Sequence, residues 1–243
     1  MNKFISIILL LVLHNSLNAQ VTLPDLQSLQ YVHSNLGNAL NFDGTATYAV
    51  GKAYLQDSLT DFTMEFWVKN TGTDGANDII YSSYLNDVLK IGKSSNHLKL
   101  LATDLGGPST WQEVCTLELN VWVHIALVRS GTALKVYKNA SLVQTYTVDG
   151  SLNLPSFFRL GSNINGTGEN GNFSIDELRI WKIALSTSPI NFIQKYMYSP
   201  INPNSTTDSN PSTKLVLYYR FDQGTFGGTN TNELGLYNSA TSN

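Results

Sequence analysis

The sequence predicts an all-β chain, a two-sheet antiparallel sandwich with one short C-terminal helix. Three observations carry that expectation. Apolar residues alternate with period two in three long segments, and shorter apolar runs separated by Gly-, Asn- and Pro-bearing turns fill the gaps. Only one stretch has helical character.

The elements follow in order. Lys3, the apolar run from Phe4 to Leu13 and the polar stretch ending Leu17-Asn18-Ala19 have the layout of a secretory signal. Residues 1–19 are therefore read as a signal peptide, and the chain as secreted or carried to the cell surface. The run is shorter than the ~20 residues that span a bilayer, and no later segment is long or apolar enough, so membrane insertion is not expected. Residues 20–38, with Pro24, are a lead-in, and Ala39-Leu40-Asn41-Phe42-Asp43-Gly44 is the first clear strand. Phe62, Met64, Phe66 and Val68 then alternate with Thr63, Glu65 and Trp67, giving one apolar face and one half-polar face. Val121, Val123, Ile125 and Leu127 alternate with Trp122, His124, Ala126 and Val128. A third segment sets Phe173, Ile175, Glu177, Arg179 and Trp181 against Ser174, Asp176, Leu178 and Ile180. Shorter runs, among them His97 to Ala102 and Phe157 to Leu160, are punctuated by Gly106-Gly107-Pro108, Ser130-Gly131 and Asp149-Gly150. Ser186 to Tyr198 is the expected helix, with Ser188 as cap and Pro189 in its first turn. Residues 39–199 thus form one domain. Residues 200–214, rich in Asn, Pro, Ser and Thr, are a loop or linker, and 215–243 a strand with a Gly/Asn-rich tail that reads as truncated.

Composition narrows the function. Only 14% of the 243 residues are charged, against the ~25% usual in a soluble domain, while 42% are hydrophobic. A net charge of −3, with 15 basic residues spread thinly, excludes a nucleic-acid-binding stripe. Cys115 is the lone cysteine, so no intramolecular disulfide or cysteine-rich metal knuckle forms.

Three stretches together resemble the laminin-G-like, concanavalin A-type lectin/glucanase jelly-roll domains of secreted bacterial proteins. They are the opening strand with Phe62-Thr63-Met64-Glu65-Phe66-Trp67-Val68-Lys69, then Trp122-Val123-His124-Ile125-Ala126-Leu127-Val128 with Leu134-Lys135-Val136-Tyr137-Lys138-Asn139, and the closing Phe173-Ser174-Ile175-Asp176-Glu177-Leu178-Arg179-Ile180-Trp181. Leu217-Tyr218-Tyr219-Arg220-Phe221-Asp222 resembles a strand found beside such domains in Bacteroidetes-like exported proteins. The resemblance implies a jelly-roll order for the sandwich. It departs at the hairpin turn, where the family's Asn-Gly is Asn139-Ala140 and Ala accepts a positive φ poorly.

Related jelly rolls include glycoside hydrolases with a Glu-x-Asp-x-x-Glu strand, whose paired carboxylates hydrolysis requires. Around Asp176 those positions hold Ser174 and Arg179, so no enzyme is expected. Cys115 in its alternating segment reads as a small buried hydrophobe, and His33, His97 and His124 are scattered. The resemblance implies a structural Ca2+, with Asp176 and Asp43 as carboxylate ligands. An Asp in a half-buried strand also accepts hydrogen bonds from a neighbouring loop, and the sequence leaves both readings open. A glycan site wants aromatic faces with amide and carboxylate partners. Tyr84, Asn86 and Asp87 beside Tyr81, Trp111 with Gln112, and Asn163 and Asn165 with Glu169 and Asn170 supply those types in loops. The expected function is a non-catalytic recognition module for carbohydrate or another extracellular surface ligand. A structural or adhesive spacer is the alternative, and a polysaccharide hydrolase stands behind both.

Overall fold

The fold follows from where the apolar face of each strand finds a partner. The computed structural model describes residues 39–45, 47–51, 58–72, 75, 77–83, 89–153, 158–165, 168–185 and 214–221. The signal peptide, lead-in, expected helix and Gly/Asn-rich tail, and all but residue 214 of the linker, lie outside the described residues. The described strands are β1 Leu40–Asp43, β2 Ala49–Gly51, β3 Ser58–Leu59, β4 Phe62–Asn70, β5 Asp78–Ser83, β6 Lys90–Ser94, β7 His97–Leu101 and β8 Gln112–Thr116. They continue with β9 Trp122–Ser130, β10 Ala133–Lys138, β11 Ser141–Thr147, β12 Leu152–Asn153, β13 Phe158–Leu160, β14 Asn172–Trp181 and β15 Leu215–Tyr219.

Two antiparallel sheets form the sandwich. The first has the order β1-β14-β4-β9-β10-β11, with β15 also paired to β14, and the second the order β2-β13-β5-β6-β7-β8. A short pair, β3 with β12, stands apart from both. Phe62, Met64, Phe66 and Val68 of β4 and Val123, Ile125 and Leu127 of β9 share one core with Tyr81, Ile91, Leu98 and Leu100 of the second sheet. Phe42 stacks on its cross-strand partner Phe173 with ring centroids 4.7 Å apart. Phe158 stacks on Tyr81 at 5.2 Å and meets Tyr219 edge-on at 5.8 Å. Each such pair contributes about 0.5–1.5 kcal/mol beyond its buried area.

Two local features depart from the sequence pattern. Strict alternation along β14 breaks at Glu177, whose φ is +53°, where the register against β4 jumps from Asp176–Trp67 to Arg179–Glu65. This bulge puts Leu178 and Ile180 into the core beside Phe173 and Ile175, and turns Arg179 and Trp181 outward. Alternation read straight through the strand misplaces every side chain after Asp176. The β10–β11 turn has φ of +47° at Asn139 and +64° at Ala140, so Ala occupies a left-handed position that Gly would hold at lower cost. Asn139 Oδ1 accepts the His124 N–H at 2.9 Å and ties this turn to β9.

The face of β4 that reads as half polar is buried too. Thr63 Oγ1 donates to the Ile183 carbonyl at 3.0 Å and accepts the Leu185 N–H at 2.9 Å, so the chain leaving β14 returns across that face.

Candidate functional site

The outer face of the second sheet gathers the side chains best suited to hold a ligand. Register fixes which they are. Tyr81, Ile91 and Leu100 point into the core, so the alternate row Val50, Arg159, Ser82, Lys90 and Leu101 lies outside. The next outer row holds Ile79, Gly92, Lys99 and Glu113.

Trp111 is delivered to this face by the β7–β8 loop. After Leu101 the chain makes a 3-10 turn over Thr103–Leu105, passes through Gly106 at φ +69°, and is closed by the Ala102 N–H on the Pro108 carbonyl at 3.0 Å. The Gln112 amide donates to the Thr110 carbonyl at 3.2 Å and to its hydroxyl at 3.0 Å, holding the entry to β8. The half-buried Trp111 ring then rests on Gly92, where a Cβ would lie 3.1 Å from Cη2 and 3.3 Å from Cζ3. Gly92 is the seat that lets the indole sit against the sheet.

Charged groups and a second aromatic frame the indole. Lys99 Nζ donates to Asn77 Oδ1 at 3.2 Å, and Lys90 Nζ stands 3.8 Å from Glu169 Oε2. The Arg159 guanidinium lies over the Tyr48 ring at 4.4 Å. Tyr48 and Val50 remain 46% and 42% exposed. Residues 161–165 and 168–171 border the face, the Glu169 carbonyl accepting the Ile79 N–H at 2.8 Å and the Asn170 amide donating to the Thr45 carbonyl.

The predicted residues fall into three groups. Trp111 is on this face, and Asn163 and Asn165 lie on its bordering loop, half-buried and exposed respectively. Tyr84, Asn86 and Asp87 lie outside the described residues. Tyr81 is buried in the core, 1% exposed, and offers no platform to a sugar. Tyr48, Ser82, Lys90, Lys99 and Arg159 are additions that the sequence reading missed. The signal was present for Arg159, a polar residue between the apolar Phe158 and Leu160, but only strand pairing shows what stands beside it.

The two carboxylates expected to share Ca2+ do not meet. Asp43 pairs with Asn172, four residues along β14 from Asp176, a separation of about 13 Å at ~3.3 Å per residue. Asp43 Oδ1 accepts the Thr45 N–H at 3.0 Å and the Thr45 and Thr47 hydroxyls, each at 2.8 Å. The Thr45 N–H foremost, with the two hydroxyls, lowers the Asp43 pKa. Asp176 Oδ1 accepts the Glu177 N–H at 2.8 Å. Each carboxylate thus serves its own turn or bulge, and the pair does not fit one coordination sphere.

The outer face of the first sheet carries a buried charge network. Glu65, fully buried, accepts the Trp181 indole N–H at 3.1 Å, with Arg179 Nη1 3.7 Å and His124 Nε2 3.3 Å from its carboxylate oxygens. Arg179 also binds Glu177 and donates to the Tyr218 hydroxyl at 3.1 Å. Burial opposes the Arg179 charge, but Glu177, Tyr218 and Glu65 outweigh it and raise its pKa, so the cation is fixed. Burial chiefly pushes the Tyr218 hydroxyl up to about 12. Burial likewise pushes the Cys115 thiol up to about 11, which suits a packing residue rather than a nucleophile.

With the sandwich and its faces described, comparison with known proteins identifies the family. The family model described as the concanavalin A-like lectin/glucanases superfamily matches residues 42–191, more than half the chain. The chain belongs to this superfamily. Among solved structures, it is similar to a candidate carbohydrate binding protein from Bacteroides ovatus at 20% identity and TM-score 0.58, covering 77% of this chain and 52% of that one. The chain thus spans about half the length of that protein. It is also similar to a Trypanosoma rangeli sialidase, at 17% identity and TM-score 0.50 over 65% of this chain and 27% of that one. Domain 4 of an extracellular arabinanase from Geobacillus stearothermophilus, solved with arabinotriose, gives 20% identity and TM-score 0.49 over 64% and 76%. No curated protein matches the chain.

Proposed function

We propose that this lectin/glucanase-type domain is an exported, non-catalytic carbohydrate-binding module that holds its glycan on the outer face of the second sheet. The observation that carries the reading is the Trp111 indole seated on Gly92, within a face that also presents Tyr48, Lys90, Lys99 and Arg159. Aromatic faces stack on the apolar side of a sugar ring, and the Lys and Arg N–H groups around them donate to its hydroxyls. Membership of the superfamily and the Bacteroides ovatus likeness support a sugar ligand. The absence of the Glu-x-Asp-x-x-Glu pattern and the engagement of Glu65 and Glu177 by Arg179 support binding without hydrolysis. Residues 1–19 supply the export signal.

Retention on a panel of immobilised polysaccharides tests this. The native chain is expected to be retarded by at least one of them, and Trp111→Ala to weaken that binding about tenfold or more, the equivalent of one lost stacking contact. Retention by none of the panel would favour the spacer reading, and unchanged retention of Trp111→Ala would move the site off this face. Reducing-sugar release from the same polymers would instead make the chain a hydrolase.

A further inference from the structure

The proposed glycan face holds a cation for which the described residues supply no anion. Arg159 stands between Val50 and Ser82 in the outer row of the second sheet. Its Nε and Nη1 are shut off from solvent without a hydrogen-bond acceptor, and no ion pair engages it among the described residues. The Ser82 hydroxyl beside it is fully buried and equally without a partner. The fully buried arginines, Arg129 and Arg179, contrast with the half-buried Arg159. Arg129 donates to the Gly131 carbonyl at 3.0 Å and to the Gly150 carbonyl, and Arg179 meets Glu177 and Tyr218.

A guanidinium cannot shed its proton, and a partly desolvated charge without a counter-ion is costly unless something else compensates it. Lys90 and Lys99 add positive charge to the same face, and Glu169 and Glu113 offset it only in part. Among the described residues the face is therefore cationic, on a chain whose net charge is −3. A neutral sugar would leave Arg159 as it is. An oxyanion would satisfy it, and a guanidinium's fork of N–H donors matches carboxylate or sulfate geometry.

Resting on the reading that this face binds sugar, we infer that its ligand is an acidic glycan and that Arg159 receives the acidic group. Uronate carboxylates and sugar sulfates share this chemistry. The test compares retention of the full chain on polygalacturonate, a sulfated galactan and a neutral β-glucan. Stronger retention on an acidic polymer is expected, and which acidic arm binds identifies carboxylate or sulfate. Arg159→Met should lose about tenfold or more of that binding and Arg159→Lys less, because Lys keeps the charge without the fork. The ligand-free thermal midpoint of Arg159→Met should hold or rise, since an unpartnered buried donor is removed. Binding to the neutral polymer alone, or acidic binding untouched by Arg159→Met, overturns this inference and leaves the carbohydrate-binding reading intact. Binding to none of the three overturns both.

Discussion

Glu65→Ala is expected to cost the fold about 3–5 kcal/mol, because it strips one counter-ion from a guanidinium that stays charged and is 2% exposed. The same change removes the acceptor that holds the Trp181 indole N–H at 3.1 Å, and a void opens where β4, β9 and β14 meet. Glu177 still binds Arg179, which keeps the loss toward the lower end of that range. Glu65→Gln should cost less, since its amide oxygen can keep the Trp181 bond while the charge is lost. Urea unfolding measures both. The midpoints are expected to fall in the order native, Gln, Ala with an unchanged slope, and a native midpoint for Gln would show that the carboxylate charge contributes nothing. Glycan retention by folded Glu65→Gln should be native, because this network lies on the opposite sheet.

Gly161→Ala is expected to destabilise by about 2–5 kcal/mol, the sum of a left-handed backbone penalty and overpacking of the core. The φ of Gly161 is +84°, and a Cβ there would sit 2.3 Å from Phe42 Cδ1. Phe42 is 2% exposed and stacked on Phe173, so it cannot yield without opening the core. Gly161 also accepts the Gly171 N–H at 3.2 Å and so closes the loop that carries Asn163, Asn165 and Glu169. Its substitution should weaken glycan retention together with the thermal midpoint. Gly168→Ala is the control. Its φ is +78° but nothing lies within 4 Å of the added carbon, so only the backbone penalty of about 1–2 kcal/mol applies. Equal losses for the two variants would show that the Phe42 contact is not the cause.

The alternation of Phe62, Met64, Phe66 and Val68, and of Val123, Ile125 and Leu127, placed both strands on the core correctly because each runs without a bulge. The same reasoning failed after Asp176, where a single left-handed residue, Glu177, shifts the phase. No residue type announces that position, since Glu is not a residue that favours positive φ. Thr63, Glu65 and Trp67 read as a half-polar outer face, and their burial comes from partners distant in the chain: residues 183–185 on Thr63, Trp181, Arg179 and His124 on Glu65, and His124 on Trp67. At the site, Trp111 was legible as an aromatic next to a Gly/Pro loop. Arg159, Tyr48 and Lys90 were not, because their neighbourhood arises from pairing between strands distant in the chain. The implied Asp43–Asp176 pair failed for the same reason, since strand register sets their separation.

The most direct test of the central claim is amide chemical-shift mapping with a short oligomer of the retained polysaccharide. The largest perturbations are expected at Val50, Ser82, Gly92, Lys99, Trp111 and Arg159, falling off toward β10 and β11. Perturbations centred on the first sheet, with Gly92 and Trp111 unmoved, would contradict it.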